Sequence, residues 1–204
     1  TYALNEYLTV TDNIATTYIH NGVNNPTKGG GIHFDFGSDM KLEANSTVTV
    51  EMAGAIIMNN HVVGEGGLGG GIFYEDAAPS AKKYKFNINL NHGMVMLNTA
   101  SLNGGGIYVS KGEVKSQKVE GYTLLVDQNV AALNGGGIYI KNGSLSLADG
   151  IITQNTLSST GNGGGICIED GDFTISDGSV SNNIISSGVG AGVYIVGSNG
   201  KGNF

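Results

Sequence analysis

The stretch Gly135-Gly136-Gly137-Ile138-Tyr139-Ile140-Lys141-Asn142-Gly143-Ser144-Leu145-Ser146-Leu147-Ala148-Asp149-Gly150-Ile151-Ile152-Thr153-Gln154-Asn155 decides how the rest of the chain is read. Ile138-Tyr-Ile140 and Leu145-Ser-Leu147 alternate with period two, the mark of a strand with one buried face. Asn142-Gly143 and Asp149-Gly150 are turn dipeptides, and Ile151-Ile152-Thr153 leads to Asn155. The stretch therefore holds three short strands, none able to bury its apolar face alone.

Working outward, the same plan returns as Ile166-Cys-Ile168, Asp170-Gly171, Phe173-Thr-Ile175, Asp177-Gly178 and Ser179-Val180-Ser181. The opening phrase recurs as Gly29-Gly-Gly-Ile32, Gly69-Gly-Gly-Ile72, Gly104-Gly-Gly-Ile107, Gly163-Gly-Gly-Ile166 and Gly190-Ala191-Gly192-Val193. A second phrase, an apolar residue followed three positions later by Asn, travels with it: Tyr18 to Asn21, Ile57 to Asn60, Val95 to Asn98, Val126 to Asn129, Ile152 to Asn155 and Val180 to Asn183. Successive anchors at 32, 72, 107, 138, 166 and 193 lie 40, 35, 31, 28 and 27 residues apart, so an internal segment shrinks while the unit persists. Helical patterning at i, i+3, i+4 and i+7 is absent.

Short period-two strands in repeated units bury their apolar faces by stacking on one another. The expected fold is all-β, a right-handed parallel β-helix of about six coils with three short strands per coil. It forms a single domain over 1–204, with a divergent first coil in 1–28, coils over 29–68, 69–103, 104–134, 135–162 and 163–189, and a truncated last coil over 190–204. The triple glycines are expected at turns with positive φ and close coil-to-coil approach, and the recurrent Asn in a stacked amide ladder at an inward corner. No polar cap is recognisable after residue 190, and the sequence opens at Thr1 without an apolar leader, so a fragment of a longer protein is expected.

Composition narrows the function classes. Seventeen acidic against ten basic residues give a formal net charge of -7, which removes the attraction that drives nucleic-acid binding. All ten basic residues are lysines, so the bidentate guanidinium clamp is missing, and there is no tryptophan. No run of about 18 apolar residues is present, so no membrane insertion by this segment is expected. The single Cys167 cannot form an internal disulfide.

The paired phrases resemble the Gly-Gly-Ala-Ile and Phe-x-x-Asn repeats of the polymorphic outer membrane protein family, and the related repeats of adhesin-like surface proteins from gut and oral bacteria. The likeness covers roughly residues 18–195, with Phe173-Thr-Ile-Ser-Asp-Gly-Ser-Val-Ser-Asn-Asn183 closest to the adhesin-like group. The third position is Gly where the first family has Ala in five copies, and Ile, Val or Tyr stands where it has Phe. The resemblance implies an extracellular or cell-surface, adhesive segment that binds a host or neighbouring-cell protein or carbohydrate. It brings no catalytic residue, cofactor or metal.

Candidate sites follow from alternation along the strands. The residue after each anchor points away from the core, giving a column of His33, Phe73, Tyr108, Tyr139, Cys167 and Tyr194, whose aromatic members are the expected binding stripe or a stabilising ladder. Lys82, Lys83, Lys85, Lys111, Lys115 and Lys118 form a candidate basic shoulder for an anionic glycan. Asp35, Glu75, Asp76, Glu169, Asp170 and Asp172 are candidate turn carboxylates, without the ordered spacing of a calcium loop, and no metal is expected. His20, His33, His61 and His92 share no metal-ligand spacing. An enzyme acting on polysaccharides would draw on Glu169 and Asp172. A spacer that binds nothing is the third alternative.

Overall fold

A computed structural model describes residues 1–5, 8–16, 18–20, 23–36, 46–76, 85–197 and 202–203. Described strands stack in register as a parallel β-helix, each coil hydrogen-bonded to the next. The first strands of the units, Ile32–Phe36, Ile72–Asp76, Ile107–Val109, Ile138–Ile140, Ile166–Glu169 and Val193–Val196, form one six-stranded parallel sheet. Ile107 pairs with Ile72 on one side and Ile138 on the other, so equivalent repeat positions become neighbours.

The second and third segments of each unit share a second sheet. In the early coils they run together as the twelve-residue strands Thr47–Met58 and Lys85–Met96, which bend at Gly54 and Gly93 without breaking. Later coils split at turns such as Asp149-Gly150, giving Gly143–Leu147 and Ile151–Thr153. A short strand after each Asn builds the third wall, and sequence reading left it unassigned: Ile14–Thr16, His61–Val63, Thr99–Ala100, Val130–Ala131, Thr156–Leu157 and Ile184–Ile185. Two or three residues flanked by corners are too few to show a period.

The first coil lies within 1–28, but its Asn phrase comes earlier than the sequence reading places it. Tyr2–Asn5 and Thr9–Thr11 pair with Thr47–Met58, and Ile14–Thr16 pairs with His61–Val63. Its apolar-x-x-Asn phrase is thus Val10 to Asn13, not Tyr18 to Asn21. Tyr18–His20 pairs antiparallel with Val23–Asn25, and Asn21 lies outside the described residues.

Inside, Ile57, Val95, Val126 and Ile152 stack as one column, and Ile72, Ile107, Ile138 and Ile166 as another, all fully buried. The Asn corner runs beside them as a continuous amide ladder. The Nδ2 of Asn60 donates to Asn98 Oδ1 at 3.0 Å, Asn98 to Asn129 at 3.0 Å, Asn129 to Asn155 at 3.0 Å and Asn155 to Asn183 at 2.9 Å. Asn13 begins the series, donating to Asn60 Oδ1 at 2.8 Å. The second amide hydrogen goes to a backbone carbonyl of the preceding coil, as from Asn129 to Val95 at 2.9 Å. Each Oδ1 also accepts a backbone N–H, so the buried amides from Asn60 to Asn155 keep their polar atoms paired.

The triple glycine answers to the same geometry. In the copy 104–106, Gly104 has φ +68°. A Cβ on Gly105 would run into the Gly136 carbonyl and the Val130 backbone, and one on Gly106 would lie 2.7 Å from the Gly137 oxygen and 3.0 Å from the Asn129 amide. Glycine is required by backbone conformation at the first position and by neighbouring coils at the other two.

Candidate functional site: the outer wall

The aromatic column is present, in register, and buried. Phe73 and Tyr108 stack with ring centroids 4.9 Å apart, as do Tyr108 and Tyr139, while His33 meets Phe73 edge-on at 5.0 Å. Phe73, Tyr108, Tyr139 and Cys167 form a second small core, with Leu68 and Tyr194 packed against it. Alternation turns these residues away from the main core but does not leave them in water. The triple-glycine turn brings the preceding residues back over them: Lys28 Nζ lies 5.4 Å from the Phe73 ring centroid, and Leu68 covers the same column. The expectation of an exposed stripe is therefore corrected for Phe73, Tyr108 and Tyr139; only His33 is exposed and Tyr194 half-buried.

Burial has an electrostatic signature here. It pushes the Tyr108 phenol up to about 12, helped by the charges of Glu169 and Glu75. It also raises Tyr139, whose hydroxyl bonds to the Glu169 carboxylate, and moves the Cys167 thiol up to about 12. A thiol held protonated in this way is a poor nucleophile.

The carboxylates do not gather in the turns as expected. Asp35, Glu75, Asp76 and Glu169 lie on strands, and only Asp170 and Asp172 occupy a turn. His33, Asp35 and Glu75 bring ligand-type atoms within 4.8 Å of one another. Lys28 sets its ammonium against both Glu75 oxygens, at 2.6 and 2.7 Å, which opposes a second cation there. Glu169 faces Tyr139, whereas Asp172 helps line an open groove of about 520 Å³ with Lys85, Lys111, Glu113 and Ser144.

The basic shoulder is divided where it is described, with Lys85 and Lys111 lining the groove beside Asp172. Lys115 pairs with Glu113 at 3.0 Å and Lys118 with Asp177 at 3.1 Å, while Lys82 and Lys83 lie outside the described residues.

A surface that motif reading missed surrounds the segment 117–123. Ten positions separate Lys115 from Leu125, whereas their partners Asn89 and Met94 are five apart, as are Ser146 and Ile151. Five extra residues thus leave the wall in this coil alone of the three. Ser116, buried where the chain departs, plugs the next turn: its Oγ accepts the Ala148 and Asp149 N–H groups at 3.0 Å each and donates to the Asp149 carbonyl. The excursion folds back with Tyr122 N donating to Val119 O at 3.0 Å across Gly121, whose φ is +79°.

This loop divides two grooves. On one side Lys118, Glu120, Thr123, Asp149 and Asp177 line a polar groove of about 790 Å³. On the other a mostly apolar groove of about 410 Å³ is lined by Gly54 and Gly93 together with Ile56, Met94, Leu125 and Ile151. Those four apolar residues are register partners in consecutive coils, so they form one outward stripe. Tyr122 borders both grooves, and its ring lies 4.9 Å from that of His92. It is 55% exposed, with Met94 at 42% and Ile151 at 39%. The signal available in sequence was the 31-residue unit over 104–134, longer than its successors, with Tyr122 at the tip of the surplus.

No family model, curated protein or solved structure matches the chain.

Proposed function

We propose that the chain is an adhesin-like segment of a secreted or cell-surface bacterial protein, which binds a host or neighbouring-cell protein or carbohydrate through its outer wall. The observation that carries this reading is the division between a filled interior and a grooved exterior. The inward columns pack as one continuous apolar core, and the loop at 117–123 sets an exposed aromatic ring between two grooves on the outside. An exposed aromatic beside an apolar stripe is the arrangement that supplies contact area at low entropic cost. Neither cofactor nor metal enters this reading, and the partner is a macromolecule met along a surface. Arrays of glycans and of matrix proteins probed with the soluble chain test it. Saturable binding supports the adhesin reading, and a chain that binds nothing supports a spacer.

A polysaccharide-cleaving enzyme is the second reading, favoured by the groove that carries Glu113, Asp172, Lys85 and Lys111 together. Its test is product formation from polysaccharides, with Glu113→Gln and Asp172→Asn variants for comparison. Turnover lost in either variant would replace the adhesin reading.

A further inference from the structure

We infer that the double groove around Tyr122 is a binding site for a neutral oligosaccharide. The inference rests on the reading that the outer wall binds a partner and names the ligand class and the place. A sugar ring has an apolar C–H face and a rim of hydroxyls, so its site needs a flat apolar platform next to hydrogen-bond acceptors. Tyr122 supplies the platform, with Met94 and Ile151 beside it. Across the loop, Glu120 and Asp149 supply carboxylate acceptors and Thr123 a hydroxyl. Each groove falls within the roughly 300–1,000 Å³ of small-molecule clefts.

Charge selects among glycans. The polar groove holds three carboxylates, Glu120, Asp149 and Asp177, against one ammonium, Lys118, which is itself paired with Asp177 at 3.1 Å. The local balance of one positive and three negative groups leaves a net charge of -2, which repels uronates and sulfated sugars while accepting bonds from neutral hydroxyls. The ligand chemistry is therefore a neutral, hydroxyl-rich chain whose ring face lies on Tyr122.

The experiment is titration calorimetry of the whole chain with neutral oligosaccharides (glucose-, mannose- and N-acetylglucosamine-based), with heparin and polygalacturonate fragments as anionic probes, and with matrix proteins in parallel. Binding of a neutral oligosaccharide is expected, weakened roughly tenfold by Tyr122→Ala and retained by Tyr122→Trp. Met94→Ser is a second variant, and unchanged circular dichroism checks that each variant folds. Neutral-glycan binding that Tyr122→Ala and Met94→Ser leave untouched would overturn the site. Binding of anionic glycans or proteins alone would overturn the ligand class while leaving the adhesin reading standing. Binding of nothing would overturn both.

Discussion

The Asn corner and the 117–123 excursion are both departures from plain strand, yet they are built on opposite terms. At the corner, Asn60, Asn98, Asn129 and Asn155 are fully buried, repeat once per coil, and have their amides paired. The excursion occurs in the 104–134 coil, leaves Tyr122 more than half exposed, and holds its shape through two backbone bonds, Tyr122 N to Val119 O and Gly93 N to Thr123 O, one surface ion pair and the ring contact with His92. A residue type repeated in every coil is under a constraint that every coil shares, which is the stacking itself. A feature that occurs once answers to no such constraint, and its chemistry is free to serve a partner.

The largest effect that separates the two regions is expected from their glycines. Gly105→Ala places a methyl group against the backbone of the next coil, which cannot step aside without breaking the stack, so a loss of at least about 4 kcal/mol is expected. Gly121→Ala meets nothing within 4 Å, and its cost is the positive φ alone, about 1 kcal/mol. Urea unfolding of the two variants checks the ranking; equal losses would mean that the repeated glycine is not set by coil contact.

Within the ladder, the effect should grade with burial. Asn129→Ala strips the acceptor from the Asn98 backbone N–H and Nδ2, and the Nδ2 donor from the Val95 carbonyl and Asn155 Oδ1, for a loss of roughly 3 kcal/mol. Asn13→Ala, at the exposed start of the ladder, is expected to lose under about 1 kcal/mol. A smaller loss at Asn129 than at Asn13, by the same unfolding assay, would contradict the ladder's role.

The buried phenols give the scaffold a response to alkaline pH. A phenol whose folded pKa exceeds its unfolded value near 10 keeps its proton longer when folded. The stability it lends is complete below about pH 10 and is lost as the pH climbs towards about 12. Alkaline titration followed by circular dichroism is expected to show unfolding in that window, at higher pH in a Tyr108→Phe variant. Cys167, held up by the same burial, is expected to resist maleimide in the native chain and react once urea unfolds it.

These contrasts explain how much was legible in the sequence. Repetition exposed the coil stack, the inward Ile, Val and Leu columns and the Asn ladder, because each is written several times over. The first rung was misplaced because Tyr18 to Asn21 carries the same spacing as the true Val10 to Asn13, and only strand pairing tells them apart. The aromatic column was found in its register, but its burial was not legible: alternation says which face a side chain leaves by, not what the triple-glycine turn folds back over it. Tyr122 and His92 are joined by a loop of unique sequence and a strand 30 residues earlier, so no local pattern marks their meeting.

The most direct test of the division between scaffold and surface is the urea unfolding midpoint of Tyr122→Ala measured beside that of Asn129→Ala. The account expects Tyr122→Ala to unfold within about 0.5 kcal/mol of the parent chain while Asn129→Ala falls by roughly 3 kcal/mol. A Tyr122→Ala midpoint that drops as far as that of Asn129→Ala would make the exposed loop part of the scaffold and contradict the account.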